Sequence, residues 1–239
     1  MKHTEECFTK KEGELEMKQR YDAEQTKEEI LFAAGQLFNA KGYKQTSIQD
    51  IVEELDGLSK GAIYHHFKSK EAILDELMRH FMPSEEIIES VREDNSLNGL
   101  EKIQKLFLQG MFHEEVQKYL GFSPELIKEP VLSLKYLKLT QAVFIPVMSE
   151  FIEEGNQDGS ISVPHPQLIA EVVLFLLTTW YSTTLFDSDI ANFYQKLETS
   201  QYVLEKIGVN VLDESVIASI QQKIIERTEE LQDEESTKN

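Results

Sequence analysis

Residues 58–71 read Leu58-Ser59-Lys60-Gly61-Ala62-Ile63-Tyr64-His65-His66-Phe67-Lys68-Ser69-Lys70-Glu71. Ser59 is an N-cap: its hydroxyl can accept from a free amide of the first helical turn. At 3.6 residues per turn, Ile63 and Phe67 point to one side of the helix that follows. Gly61 and His65 then point to the other, flanked by Ala62, Tyr64 and Lys68. A short helix that buries two apolar residues and shows small, polar and basic ones suits entry into the DNA major groove. Lys60 can bond guanine acceptors or a phosphate, and Ala62 can touch a thymine methyl. Tyr64 and His65 bring hydroxyl and imidazole donors. With almost no side chain at Gly61 and Ala62, the helix start can approach bases, and its free amides favour phosphate oxygens.

Upstream, Thr26-Lys27-Glu28-Glu29 reads as a capping box opening a helix, with Ile30, Ala33, Ala34, Leu37 and Phe38 at helical spacing. Gly42 supplies its stop. A second box, Thr46-Ser47-Ile48-Gln49, opens a short helix with Ile48, Ile51, Val52 and Leu55 inward, and Asp56-Gly57 breaks it. Three short helices with a tight turn between the last two form a helix-turn-helix. Thr46, Ser47 and Lys70 are expected on either side of the third helix, holding the DNA backbone. Thr46 and Ser59 also read as caps alone, and a cap needs no DNA. His66 lies nearer the inward face than His65, so packing and DNA contact are both open to it. The His65-His66 pair is a poor metal site, because neighbouring helical residues diverge by about 100°.

The chain has 239 residues, 41% of them hydrophobic and 28% charged, as in an ordinary globular protein. Its net charge of −19 is unevenly placed. Residues 1–70 hold 11 Lys/Arg against 13 Asp/Glu, leaving 13 against 30 in the remainder, and Ser59–Lys70 holds three lysines and no acid. A nearly neutral head on an acidic body favours docking with the head on the DNA. The apolar run Leu168–Trp180 is too short for a membrane span and is interrupted by Glu171. The start of the chain lacks a secretory pattern, and the one cysteine, Cys7, excludes an internal disulfide and a cysteine-based zinc site. A cytoplasmic protein is expected, with no membrane contact. The sequence shows no metal-spaced cluster, nucleophile elbow, phosphate loop or distinctive carboxylate pair, and His80, His113 and His165 lie on different segments. No enzyme activity, metal or cofactor is expected.

The stretch Thr26–Leu74 resembles the DNA-binding head of the tetracycline-repressor (TetR) family. Ile30-Leu31-Phe32-Ala33-Ala34, Leu37-Phe38, Gly42-Tyr43, Thr46-Ser47-Ile48, Ile51 and above all Leu58–Glu71 carry the resemblance. It implies base or phosphate contacts from Lys60, Gly61, Ala62, Tyr64 and His65, and phosphate contacts from Thr46 and Lys70. The implied fold is all-α: a three-helix helix-turn-helix head and a helical-bundle body that binds an effector and forms a homodimer. The expected divisions are a charged arm over 1–20, a head over 21–68, a body over 69–232 and a disordered tail over 233–239.

Within the body, Ser69 starts a helix with Ile73, Leu74, Leu77, Met78 and Phe81 on one face. Asn98–Leu120 and Val131–Gly155 read as two further helices, and Leu168–Phe186 and Ile190–Ile207 as the dimer-forming pair. The pair is joined by the tight Asp187-Ser188-Asp189 turn. Past Gly208, Val216, Ile217, Ile220, Ile224 and Ile225 suggest an added helix. Pro146 deletes a backbone bond in its helix and can leave space beside it. Phe107, Met111, Phe144, Met148, Trp180 and Tyr181 are candidates to line that space, although such residues also serve as plain core. Few positive charges lie among them, which favours an apolar or cationic effector. The resemblance implies repression of a near-palindromic operator by the dimer. Activation, or an adaptor that binds DNA without an effector, remains an alternative.

Overall fold

The structure, a computed structural model, describes residues 23–55, 58–181, 186 and 190–237, and all regular structure among them is helical. The expected arm over 1–20, the Asp56-Gly57 break and the Asp187-Ser188-Asp189 turn lie outside the described residues. The chain divides into two compact units, one of residues up to Met78 with Phe122–Leu126, the other of Arg79–Gly121 and Ile127 onward.

In the first unit, α1 spans residues 23–41, α2 Ile48–Glu54, α3 Lys60–His66 and α4 Lys70–Arg79. Thr26 lies inside α1 rather than capping it, because the helix is already formed at residue 23. Gly42 ends α1 with φ 84°, its amide bonded to Phe38 O at 2.9 Å. The second capping box is displaced by one residue: Ser47, not Thr46, is the N-cap of α2, paired with Asp50 rather than Gln49. Ile30, Ala34, Phe38, Ile51, Ile63, Ile73 and Leu77 are wholly buried. Burial of each large one is worth about 1.5–3 kcal/mol. Because α4 buries Ile73, Leu74, Leu77 and Met78, it belongs with the head as far as Met78, not with the body from residue 69. A remote segment joins this unit: the Phe122 ring meets Phe32 edge-on, centroids 5.1 Å apart. Gly35 leaves room for it, since a Cβ there would come within 2.5 Å of the Phe122 ring.

The second unit contains α5 (Glu85–Arg92), α6 (Gly99–Phe112), α7 (Glu114–Leu120), α9 (Pro130–Asp158), α10 (Pro166–Leu177), α11 (Ile190–Lys206) and α12 (Glu214–Thr237); α8 (Ser123–Lys128), between α7 and α9 in the chain, belongs to the first unit as far as Leu126. Helix α5 was not anticipated; Ser84 caps it and Ile88 and Val91 are its buried residues. The expected helix over Asn98–Leu120 is two helices. His113 turns to extended backbone (φ −65°, ψ 135°), and its ring Nδ1 accepts from Glu115 N at 3.3 Å, capping α7. Helix α10 ends at Leu177, nine residues before Phe186, and a 3₁₀ turn follows over Thr179–Tyr181. Helix α12 confirms the added element. It buries Val216 and Ile220, leaves Ile225 exposed, and runs to Thr237 through residues expected as tail.

Helix α9 is long and apolar enough to cross a membrane by length and composition. Here it is the central helix of the body, burying Phe144, Val147, Met148, Phe151 and Ile152 and packing on α6 and α10. The α6–α9 approach is close enough that a Cβ on Gly99 would sit 2.2 Å from Gly155 N. Beside it Lys102 is 5% exposed, its ammonium donating to Glu154 Oε2 at 2.6 Å and Arg92 O at 2.9 Å. A buried ammonium is tolerable only with such partners.

Candidate functional site

Ser59 caps α3, its Oγ accepting from Ala62 N at 3.1 Å, and Ile63 and Phe67 are 0% and 5% exposed. The helix is thereby rotated so that Lys60, Gly61, Tyr64, His65 and Lys68 are exposed, with Ala62 and His66 half-buried between the faces. The His66 ring stands edge-on to that of His65, centroids 5.4 Å apart. Lys60 and Lys68 have no ion pair or hydrogen bond among the described residues, whereas Lys27 is held by Glu76 at 2.5 Å and Lys41 by Asp50 at 2.8 Å. Gly61 is also unexplained by the fold: a Cβ there would meet only Ser59 Oγ, at an ordinary 3.6 Å. Glycine inside a helix costs about 1 kcal/mol relative to alanine. That cost, on an exposed face with two unpaired lysines, fits a close approach by something outside the chain.

The flanking residues do different work. Thr46 is 2% exposed, and its hydroxyl donates to Gly42 O at 3.0 Å with Leu37 O at 3.3 Å, so it fixes the α1–α2 turn instead of facing a phosphate. Lys70 Nζ donates to Tyr43 O at 2.7 Å and Thr46 O at 2.6 Å and lies 4.3 Å from the centre of the Tyr43 ring. Burial draws its ammonium below the usual lysine pKa, with Asp50 partly opposing. Two of its three protons are thus committed within the head. Ser47 is exposed and caps α2, bonded to Asp50. The Lys41 and Ser47 bonds hold the Asp50 carboxyl well below the usual carboxylate range.

The body contains an apolar cavity of about 210 Å³ bounded by α6, α9, α10 and the Phe81–Pro83 turn. Of the six expected residues, Phe107, Met111, Phe144 and Met148 line it. Trp180 and Tyr181 are not in its wall: α10 stops short, and the Tyr181 hydroxyl pairs with Ser200 Oγ at 3.2 Å. Gly110, Tyr136, Thr140 and Thr178 are wall residues that the sequence reading passed over. Gly110, a glycine in the middle of an amphipathic helix, was the available signal. No wall residue is charged.

Residues 30–77 match the family described as bacterial regulatory proteins, tetR family. The HTH-type transcriptional repressor KstR2 of Mycobacterium tuberculosis (strain ATCC 25618 / H37Rv) is 30% identical over 167 residues, 64% of this chain and 78% of that protein. The chain belongs to the TetR family. Its function class is therefore transcription regulation through a helix-turn-helix head. The HTH-type transcriptional regulator YerO of Bacillus subtilis (strain 168) is 54% identical over 48 residues, 20% of this chain and 16% of that protein. A gamma-butyrolactone receptor structure superposes with a TM-score of 0.57 at 18% identity, covering 86% of this chain and 99% of that one. It shows the shared TetR fold. The matched residues 30–77 of this TetR regulator contain α2, α3 and all but the last turn of α4, with most of α1.

Proposed function

We propose that the protein is a cytoplasmic transcriptional repressor that binds a near-palindromic operator as a homodimer and is released by a small effector in its body. The observation that carries the reading is the exposed face of α3, with Lys60 and Lys68 unpaired and Gly61 bare. Lys60, Gly61, Ala62, Tyr64 and His65 are the base-reading candidates. Ser47, Ser59 and His66 flank them as backbone contacts, while Thr46 and Lys70 act by holding the head's turns. The name of KstR2, a repressor, supports the direction of control.

Dimerisation is supported by an unpaired apolar stripe. On α10, Leu168, Val172 and Phe175 recur at helical spacing and are 59%, 43% and 44% exposed, and Tyr202 is exposed on α11. The effector is supported by the body cavity, which an adaptor without a ligand would not need. Two recognition helices of a dimer reach successive major grooves roughly 34–36 Å apart. An effector releases the dimer only if it binds the non-matching state more tightly. Selection of random DNA by the purified protein, followed by a stoichiometry measurement on the selected site, tests the whole. One inverted repeat bound by two chains is expected. Enrichment of no sequence, or binding by a single chain, would overturn it.

A further inference from the structure

The walls of the body cavity say more than that something binds there. Its 14 wall residues include no Asp, Glu, Lys, Arg or His, so an ionised ligand would leave water without a countercharge. Its hydroxyls are also selective. Thr140 spends its proton on Tyr136 O at 2.9 Å and Thr178 spends its own on Leu174 O at 2.6 Å, leaving both oxygens as acceptors. Tyr136 brings a loosely tied donor, its hydroxyl giving a 3.4 Å bond to Phe81 O. Burial raises the Tyr136 pKa, with a side-chain hydrogen bond to Thr140 partly opposing, and the phenol stays protonated and able to donate. The cavity is also kept open at a cost. A Cβ on Gly110 would meet nothing nearer than Pro83 Cγ at 3.6 Å, so alanine would fit and strengthen α6. An engineered apolar cavity of about 150 Å³ admits benzene, and one of about 210 Å³ admits a longer body.

We infer that the cavity takes a neutral amphiphile: a slender apolar body of about eight carbons carrying one hydroxyl, which donates to a threonine oxygen and accepts from Tyr136. The same walls offer no countercharge to an ionised group. The inference rests on reading the body as the effector domain, and it narrows the effector class to uncharged molecules.

The test uses the full-length protein and three probes of equal length at neutral pH: 1-octanol, octanoate and octylammonium. Calorimetric titration is expected to give 1-octanol an affinity on the order of 100-fold above either ion. Tyr136→Phe should weaken 1-octanol about fivefold, the loss of one hydrogen bond. Gly110→Leu should fill the cavity and abolish binding, and Gly110→Ala, which the fold accommodates, should weaken it partially if the larger change impairs folding. Octanoate or octylammonium binding as tightly as 1-octanol, with both lost in the Gly110 variants, would overturn the ligand class while leaving the effector cavity in place. Failure of all three probes to bind, or binding indifferent to Gly110, would overturn the cavity as an effector site and this inference with it.

Discussion

Lys60 in the head and Lys102 in the body are put to opposite uses. Lys60 opens α3 in full view of solvent with no partner among the described residues, while Lys102 is 5% exposed and spends its ammonium on Glu154 and Arg92 O. The same contrast runs through the glycines. Gly61 has room for a side chain and lacks one, whereas Gly99 has none to give, with Gly155 N 2.2 Å from where its Cβ would be. The head combines local devices, the Ser47 and Ser59 caps and the Gly42 stop, with the Lys70 tie to Tyr43 and Thr46 from 27 and 24 positions away. Its outer face is therefore free for a partner. In the body, Lys102, Arg92 and Gly99 bond to Glu154, Glu150 and Asp158, more than fifty positions away, so these groups are consumed in building the fold.

That contrast can be broken at measurable points. The largest effect is expected at Gly99→Ala, which forces α6 off α9 and should destabilise the body by about 3 kcal/mol in urea unfolding. DNA affinity of the folded protein should hardly change. Lys102→Met comes next. Glu154 is 37% exposed and can rehydrate, so a loss of about 1–2 kcal/mol is expected, below the range for a fully buried pair. A neutral or stabilising result would show that apolar packing serves this position as well. Gly61→Ala should do the reverse of Gly99→Ala, raising head stability by about 0.5–1 kcal/mol while weakening operator binding. Gain of stability with unchanged binding would remove Gly61 from the interface.

The smallest effect concerns acid. The Lys105 bond, with help from Ser96, lowers the Asp94 carboxyl to about 2 from 3.8. A depressed carboxylate contributes stability that is present above its unfolded pKa and lost as pH falls through the folded one. Body stability should thus decline between about pH 4 and pH 2, and Asp94→Asn should flatten that decline. An unchanged acid limb would mean that the Lys105 bond contributes nothing in solution.

How much of this was legible in the sequence follows the same division. Capping residues and glycine stops act within four positions, so Ser59, Gly42 and the inward pair Ile63 and Phe67 could be read directly, with an error of one residue at Thr46 and Ser47. The docking of Phe122 on Gly35 is decided by chain segments remote in sequence, and no local pattern announces it. In the body, periodicity located α9 and α12 but missed the His113 break, where a ring nitrogen replaces a backbone bond. Size and helical phase placed four of the six expected residues in the cavity wall. Trp180 and Tyr181 were misplaced because the end of α10 at Thr178 carries no proline or glycine.

The central claim is that the free face of α3 reads operator DNA. Its most direct test compares wild-type and Lys60→Ala protein on the selected inverted repeat and on unrelated DNA, across a range of salt, with Tm measured alongside. Lys60→Ala is expected to cost roughly 1–3 kcal/mol on the repeat, to relax preference at one base position, and to leave Tm unchanged. Wild-type affinity and preference in that variant would contradict the account and place the DNA on another surface.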